Sequence, residues 1–175
     1  MRYGIAIIGV ALMMMLVSAS AFGQLQIVPM KYSKVKLVKG KHSVVVDLEN
    51  DLAGGTLPGN PPHKYRVLFT ARKDGFLFLV ANVQSHSPIS DPNAPCGGDS
   101  PQSVLWIKTD TTLKKREFQN EIYQSCSYNY YDSKVKVTRT ALTITYGTAR
   151  EKIALLYDNT APELGLLLTE VKDKN

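Results

Sequence analysis

The chain has 175 residues, 21 Lys+Arg against 15 Asp+Glu for a net charge of +6, and two cysteines. That length suits one domain with a sizeable core. The cysteines, Cys96 and Cys126, are too far apart for a Cys-x-x-Cys redox pair, and none of His42, His63 and His86 stands at ligand spacing to either, so no metal site and no cofactor are expected.

The first segment reads as a secretory leader. Arg2 is its only charge, Ile5 to Val17 is an apolar run, and the small residues Ser18, Ala19, Ser20, Ala21 and Gly23 follow. Ala21-Phe22-Gly23 offers small side chains at the third-last and last positions before a cut at Gln24, and Ala19-Ser20-Ala21 offers the same before Phe22. A membrane-spanning helix wants roughly 20 apolar residues, more than this run supplies. The expected division is therefore a signal peptide over residues 1–23 and a single β-rich domain over residues 24–175, working in the periplasm or the medium. Losing Arg2 lowers the net charge from +6 to +5. Export argues against nucleic acid as a partner, and no second long apolar run predicts a membrane span after the leader is removed.

Beyond residue 24 the apolar period is close to two, the signature of strands with one buried face. Lysines alternate with apolar residues in Lys34-Val35-Lys36-Leu37. Val44, Val46 and Leu48 share a face, and Tyr65, Val67, Phe69 and Ala71 share another. Phe76 to Ala81 is apolar on both sides, which predicts a central strand covered on both faces. Arg72-Lys73-Asp74-Gly75 before it has the chemistry of a hairpin turn. Ser103 to Thr109 holds the only tryptophan, Trp106. Lys114 to Tyr123 fits a helix or a strand, and the extended pattern that follows favours a strand. Val135 and Val137, then Leu142, Ile144 and Tyr146, alternate with polar residues, and Lys152–Tyr157 and Leu164–Val171 close the domain. The expectation is an all-β, antiparallel sandwich or barrel of about nine or ten short strands.

Two long Gly/Pro-rich loops interrupt the pattern, Asn50 to His63 and Ser85 to Ser100, and loops of that length are commonly functional. In an oxidising compartment Cys96 and Cys126 are most simply a disulfide, closing a loop of about 30 residues. It would tie the second long loop to the aromatic stretch Tyr123-Gln-Ser-Cys-Ser-Tyr128-Asn-Tyr130-Tyr131. Tyrosine combines contact area, few rotatable bonds and a polar tip, so Tyr123, Tyr128, Tyr130 and Tyr131, with Trp106 and Asp99, are the candidate contact residues. The competing expectation is that half of the tyrosines belong to the core.

Catalytic signals are weak, and no catalytic residue is assigned. No Gly-x-Ser-x-Gly elbow is present. Glu117 and Glu121, with Asp99, are the carboxylates a hydrolase would need to converge, and a solvated strand face is the alternative. Ser90-Asp91-Pro92-Asn93 with Asp99 is rich in oxygen but lacks the spacing of a calcium loop. Lysines at 31, 34, 36, 39 and 41, and the cluster Lys114, Lys115 and Arg116, would give weak attraction to anionic surfaces.

Through Cys96-Gly97-Gly98-Asp99, Leu105-Trp106-Ile107-Lys108 and Gln124-Ser125-Cys126 the chain resembles a loose group of small exported bacterial proteins. The resemblance covers about a third of the chain. It implies a disulfide and a bacterial source, and no particular activity. Together these readings favour a non-catalytic binding module for a protein or glycan of the cell envelope, with a hydrolase of envelope or extracellular polymer as the alternative.

Overall fold

A computed structural model describes residues 24–48, 62–86, 96, 100–130, 132–148 and 151–171. The leader, Asp99, Tyr131, the Ser90–Asn93 stretch and most of both long loops lie outside these residues.

Among the described residues the chain forms three antiparallel sheets, each built from strands consecutive in sequence. The first holds β1 (Gln26–Pro29), β2 (Lys34–Lys39) and β3 (His42–Asp47). The second holds β4 (Pro62–Lys73), β5 (Phe76–Ser85), β6 (Gln102–Asp110) and β7 (Arg116–Gln124). The third holds β8 (Lys134–Val137), β9 (Ala141–Gly147), β10 (Lys152–Asp158) and β11 (Leu167–Glu170). The architecture of the described residues is all-β and sandwich-like, with no sheet among them closed into a barrel. The stretch from Lys114 to Tyr123 resolves as the strand β7. The eleventh strand is β1, whose single inward residue, Ile27, shows no alternation to read.

Side-chain parity in β5 and β6 explains how three sheets share two cores. Leu77, Leu79, Ala81 and Val83, with Leu105 and Ile107, point to the first sheet and pack on Val35, Leu37, Val46 and Leu48. Their neighbours Phe78, Val80, Val104 and Trp106 point the other way and pack on Leu142, Ile144, Leu155 and Tyr157 of the third sheet. The second sheet is thus the middle of three layers. A strand covered on both faces needs apolar residues at successive positions, and Phe76 to Ala81 of β5 supply them. Each fully buried leucine or phenylalanine is worth about 1.5–3 kcal/mol relative to exposure.

The β4–β5 hairpin closes with Asp74 and Gly75, both at positive φ (49° and 80°), between the paired residues Lys73 and Phe76. That is the two-residue turn whose twist matches the strands it joins.

The third sheet crosses the middle one. Tyr157, paired with Leu142, lies 5.4 Å from the Phe69 ring on β4, while Tyr146 at the other end of β9 reaches Glu121 on β7. Four residues of strand cover about 14 Å, as do three strand spacings, so β9 runs across the middle strands at a steep angle. Trp106 fixes one side of this packing by donating its indole N–H to the carbonyl of Pro162 at 3.0 Å, in the turn Pro162–Leu164.

Candidate recognition site

The site grows from an irregularity at the end of β7. Gln102 pairs with Gln124, and Ser103 pairs with Ile122, so Tyr123 is an extra residue in the ladder. A bulge of this kind turns two successive side chains toward one face. Tyr123 joins the core facing the third sheet, and Gln124 meets Gln102 on the same side.

Bulge and register together create a row of amides across three strands. Asn82 on β5 donates to the Gln102 carbonyl oxygen at 3.2 Å, and Gln102 donates to that of Gln124 at 3.1 Å. The Tyr123 hydroxyl shares its proton between Asn82 Oδ1 at 3.0 Å and Gln102 Oε1 at 2.8 Å. Ser133, just before β8, donates to Gln124 Oε1 at 3.3 Å. Burial pushes the Tyr123 phenol up to about 12, against an opposing effect of its bond to Asn82. All four polar partners are half-buried, so the row is both bonded and accessible at its rim.

Beyond Gln124 the chain makes a short closed loop. Ser125 and Tyr130 exchange backbone hydrogen bonds at 3.2 and 3.0 Å, around the turn Cys126–Tyr128. Asn129 caps that turn at a positive φ of 56°, a conformation asparagine tolerates. A disulfide joins Cys126 to Cys96 with their Cα atoms 5.5 Å apart, as the cysteine count predicts. The loop is therefore closed at its neck and tied to Cys96 beside that neck.

Its tyrosines divide by depth. Tyr130 is half-buried, with its ring edge-on to Tyr146 at 5.2 Å and stacked near Tyr128 at 6.1 Å. Tyr146 in turn donates to the Glu121 carboxylate at 2.6 Å, and burial followed by that acceptor pushes its phenol well above the ordinary range. Tyr128 is 46% exposed and is the ring the loop presents. Tyr123 and Trp106, both 2% exposed, face the core and reach no outer surface. Tyr131 and Asp99 lie outside the described residues.

The carboxylates stay separate. Glu117 is exposed and pairs with Lys108 at 2.8 Å, whereas Glu121 is held by Tyr146. Four residues along one strand place them roughly 13 Å apart, beyond the 5–9.5 Å span of glycosidase pairs. Among the described residues no group of three His, Cys, Asp or Glu side chains could hold a metal. The histidines show one arrangement that the sequence conceals. His63 of β4 and His86, just past the end of β5, stack with ring centroids 4.1 Å apart. Desolvation, then His86 and Lys64, lower the His63 pKa.

The amide row was not legible in the sequence, because Asn82, Gln102 and Gln124 lie some twenty residues apart and only strand register joins them. The available signal was that polar amides end otherwise apolar strands: Asn82 and Gln84 in β5, and Gln102 in β6. The chain matches no protein-family model, no curated protein and no solved structure.

Proposed function

We propose that the chain is an exported, non-catalytic binding module that recognises a protein or glycan of the cell envelope through the Tyr128 loop. The observation that carries this reading is the exposed Tyr128 ring, backed by Tyr130, on a loop fixed by the Cys96–Cys126 bond and set beside hydrogen-bonding amides. A pre-ordered aromatic with few rotatable bonds loses little entropy on contact. Amides at the rim supply donors and acceptors for hydroxyl or peptide groups. Export is supported by the leader-like residues 1–23 and by the disulfide, which persists in oxidising compartments. Among the described residues no helix is long and apolar enough to cross a membrane. The separation of Glu117 from Glu121 weighs against the hydrolase alternative.

The test is co-sedimentation with insoluble peptidoglycan, alongside capture of envelope proteins, using the parent chain and Tyr128→Ser. Retention of the parent with at least a tenfold loss in the variant is expected. Equal retention of both would remove the tyrosine loop from the site. Release of soluble fragments from the polymer would replace the binding reading with the hydrolytic one.

A further inference from the structure

The first sheet carries a feature that recognition by the Tyr128 loop leaves unused. Residues 24–48 contain Lys31, Lys34, Lys36, Lys39 and Lys41 against Asp47 alone, a balance of +4 out of the whole chain's +6. The fold places part of this charge on one outer surface, where register sets Asp47 opposite Lys34, whereas Lys39 shares the inward parity of Val35 and Leu37. In β2, Val35 and Leu37 are buried in the first core, so Lys34 and Lys36 point away from the protein. Lys31 in the β1–β2 connection and Lys41 in the β2–β3 turn stand exposed at opposite ends of the same sheet.

Apolar groups are interleaved with these lysines. Register sets Lys36 between Val28 of β1 and Val45 of β3, which are 42% and 50% exposed. At the tip, Met30 is 44% exposed and Tyr32 is 75% exposed. Tyr32 has a φ of +61°, a conformation that glycine or asparagine adopts with less strain. A large ring is thus held outward where a smaller residue would suit the backbone better.

We infer that the outer face of the first sheet docks on an anionic phospholipid surface, with Met30 and Tyr32 entering the headgroup region and the lysines meeting lipid phosphates. Charge complementarity argues for this occupant. A polybasic surface is drawn to acidic lipid at close range, and tyrosine suits the boundary between water and acyl chains. Lysine stems also lie along apolar surface while their ammonium groups stay in water. This inference does not depend on what the Tyr128 loop binds.

The test is vesicle sedimentation. The whole chain is expressed, and the mass of the purified product is measured to define its N-terminus. Vesicles are phosphatidylcholine alone or phosphatidylcholine with phosphatidylglycerol. Binding to the anionic vesicles only, weakening with salt, is expected. Each lysine contributes about fivefold, so Lys34→Gln with Lys36→Gln lowers partitioning about 25-fold. Tyr32→Asn, which suits the local backbone and so preserves folding, lowers it several-fold. Lys134→Gln with Lys136→Gln on β8 removes equal charge from another layer and changes it by less than threefold. Equal binding to both vesicle types, or none to either, overturns the inference. So does a loss from the β8 pair equal to that from the β2 pair, which would reduce the effect to net charge. Unchanged binding of Tyr32→Asn also overturns it, because a purely ionic contact would fit an anionic polymer instead of a bilayer.

Discussion

Truncating adjacent residues of β5 tests the three-layer arrangement directly. Leu79 and Phe78 are neighbours in sequence, yet Leu79 (0% exposed) packs in the first core and Phe78 (2% exposed) in the second. Leu79→Ala removes buried methylene and methyl groups and leaves a cavity, costing about 2.7–5 kcal/mol; Phe78→Ala costs about 3–5 kcal/mol by the same reasoning. Native domains carry about 5–15 kcal/mol in total, so the double variant sits near the limit of folding. The side chains share no core partners, so each single variant reports on its own core. Urea unfolding followed by far-UV circular dichroism measures each loss. Trp106 fluorescence provides a second probe, because its indole lies against Phe78 at 6.1 Å in the second core. A cost below about 1 kcal/mol for either variant would mean that its face of β5 is uncovered, and the three-layer description would fail.

Two further outcomes follow from the bonding described. Replacing Cys96 and Cys126 by serine opens a loop with a sequence separation of 30. The chain-entropy model puts that loss at about 3–4 kcal/mol. Adding reductant should lower the parent's unfolding free energy by the same amount, read as a fall in its urea midpoint, and an unchanged midpoint would remove the stabilising role of the bond. Burial raises the phenol pKa values of Tyr65, Tyr123, Tyr146 and Tyr157, those of Tyr123 and Tyr157 to about 12. A raised folded pKa gives stability that is complete below the unfolded value of about 10 and lost as pH rises past it. Ultraviolet titration should therefore show these four ionising together with the loss of near-UV circular dichroism, and ionisation while the fold persists would contradict their burial.

What the sequence made legible depends on how local each signal is. The two-sided apolar run of β5 and the Asp74-Gly75 turn were readable because each is written in consecutive residues. The assignment of β2 and β3 to one outer layer and β9 and β10 to the other was not, because alternation names a buried face without naming what covers it. Aromatic identity has the same ambiguity. Tyr123 and Tyr128 stand five residues apart in one tyrosine-rich stretch, yet one is in the core and one faces solvent. The bulge at Tyr123 also shifts the phase of β7, so Gln124 joins the amide row on a face that strict alternation would deny it.

The separation of the two cores also decides how the two proposed surfaces relate. The lysine and Tyr32 face belongs to the outer side of the first sheet, whose inward residues contribute only to the first core. Tyr130, which backs Tyr128, packs against the second core, and the amide row ends on that side of the middle sheet. Among the described residues none belongs to both cores. Substitutions at Tyr32 and at Tyr128 therefore have no packed neighbour through which to couple, and their effects on binding should be independent. A chain held at a lipid surface through its first sheet would keep the Tyr128 loop, anchored on the other core, available for a second partner. A Tyr32→Asn, Tyr128→Ser double variant should accordingly lose vesicle binding and envelope-ligand binding each to the extent of its single variant. A deeper loss of either would show that the middle sheet transmits strain between its faces.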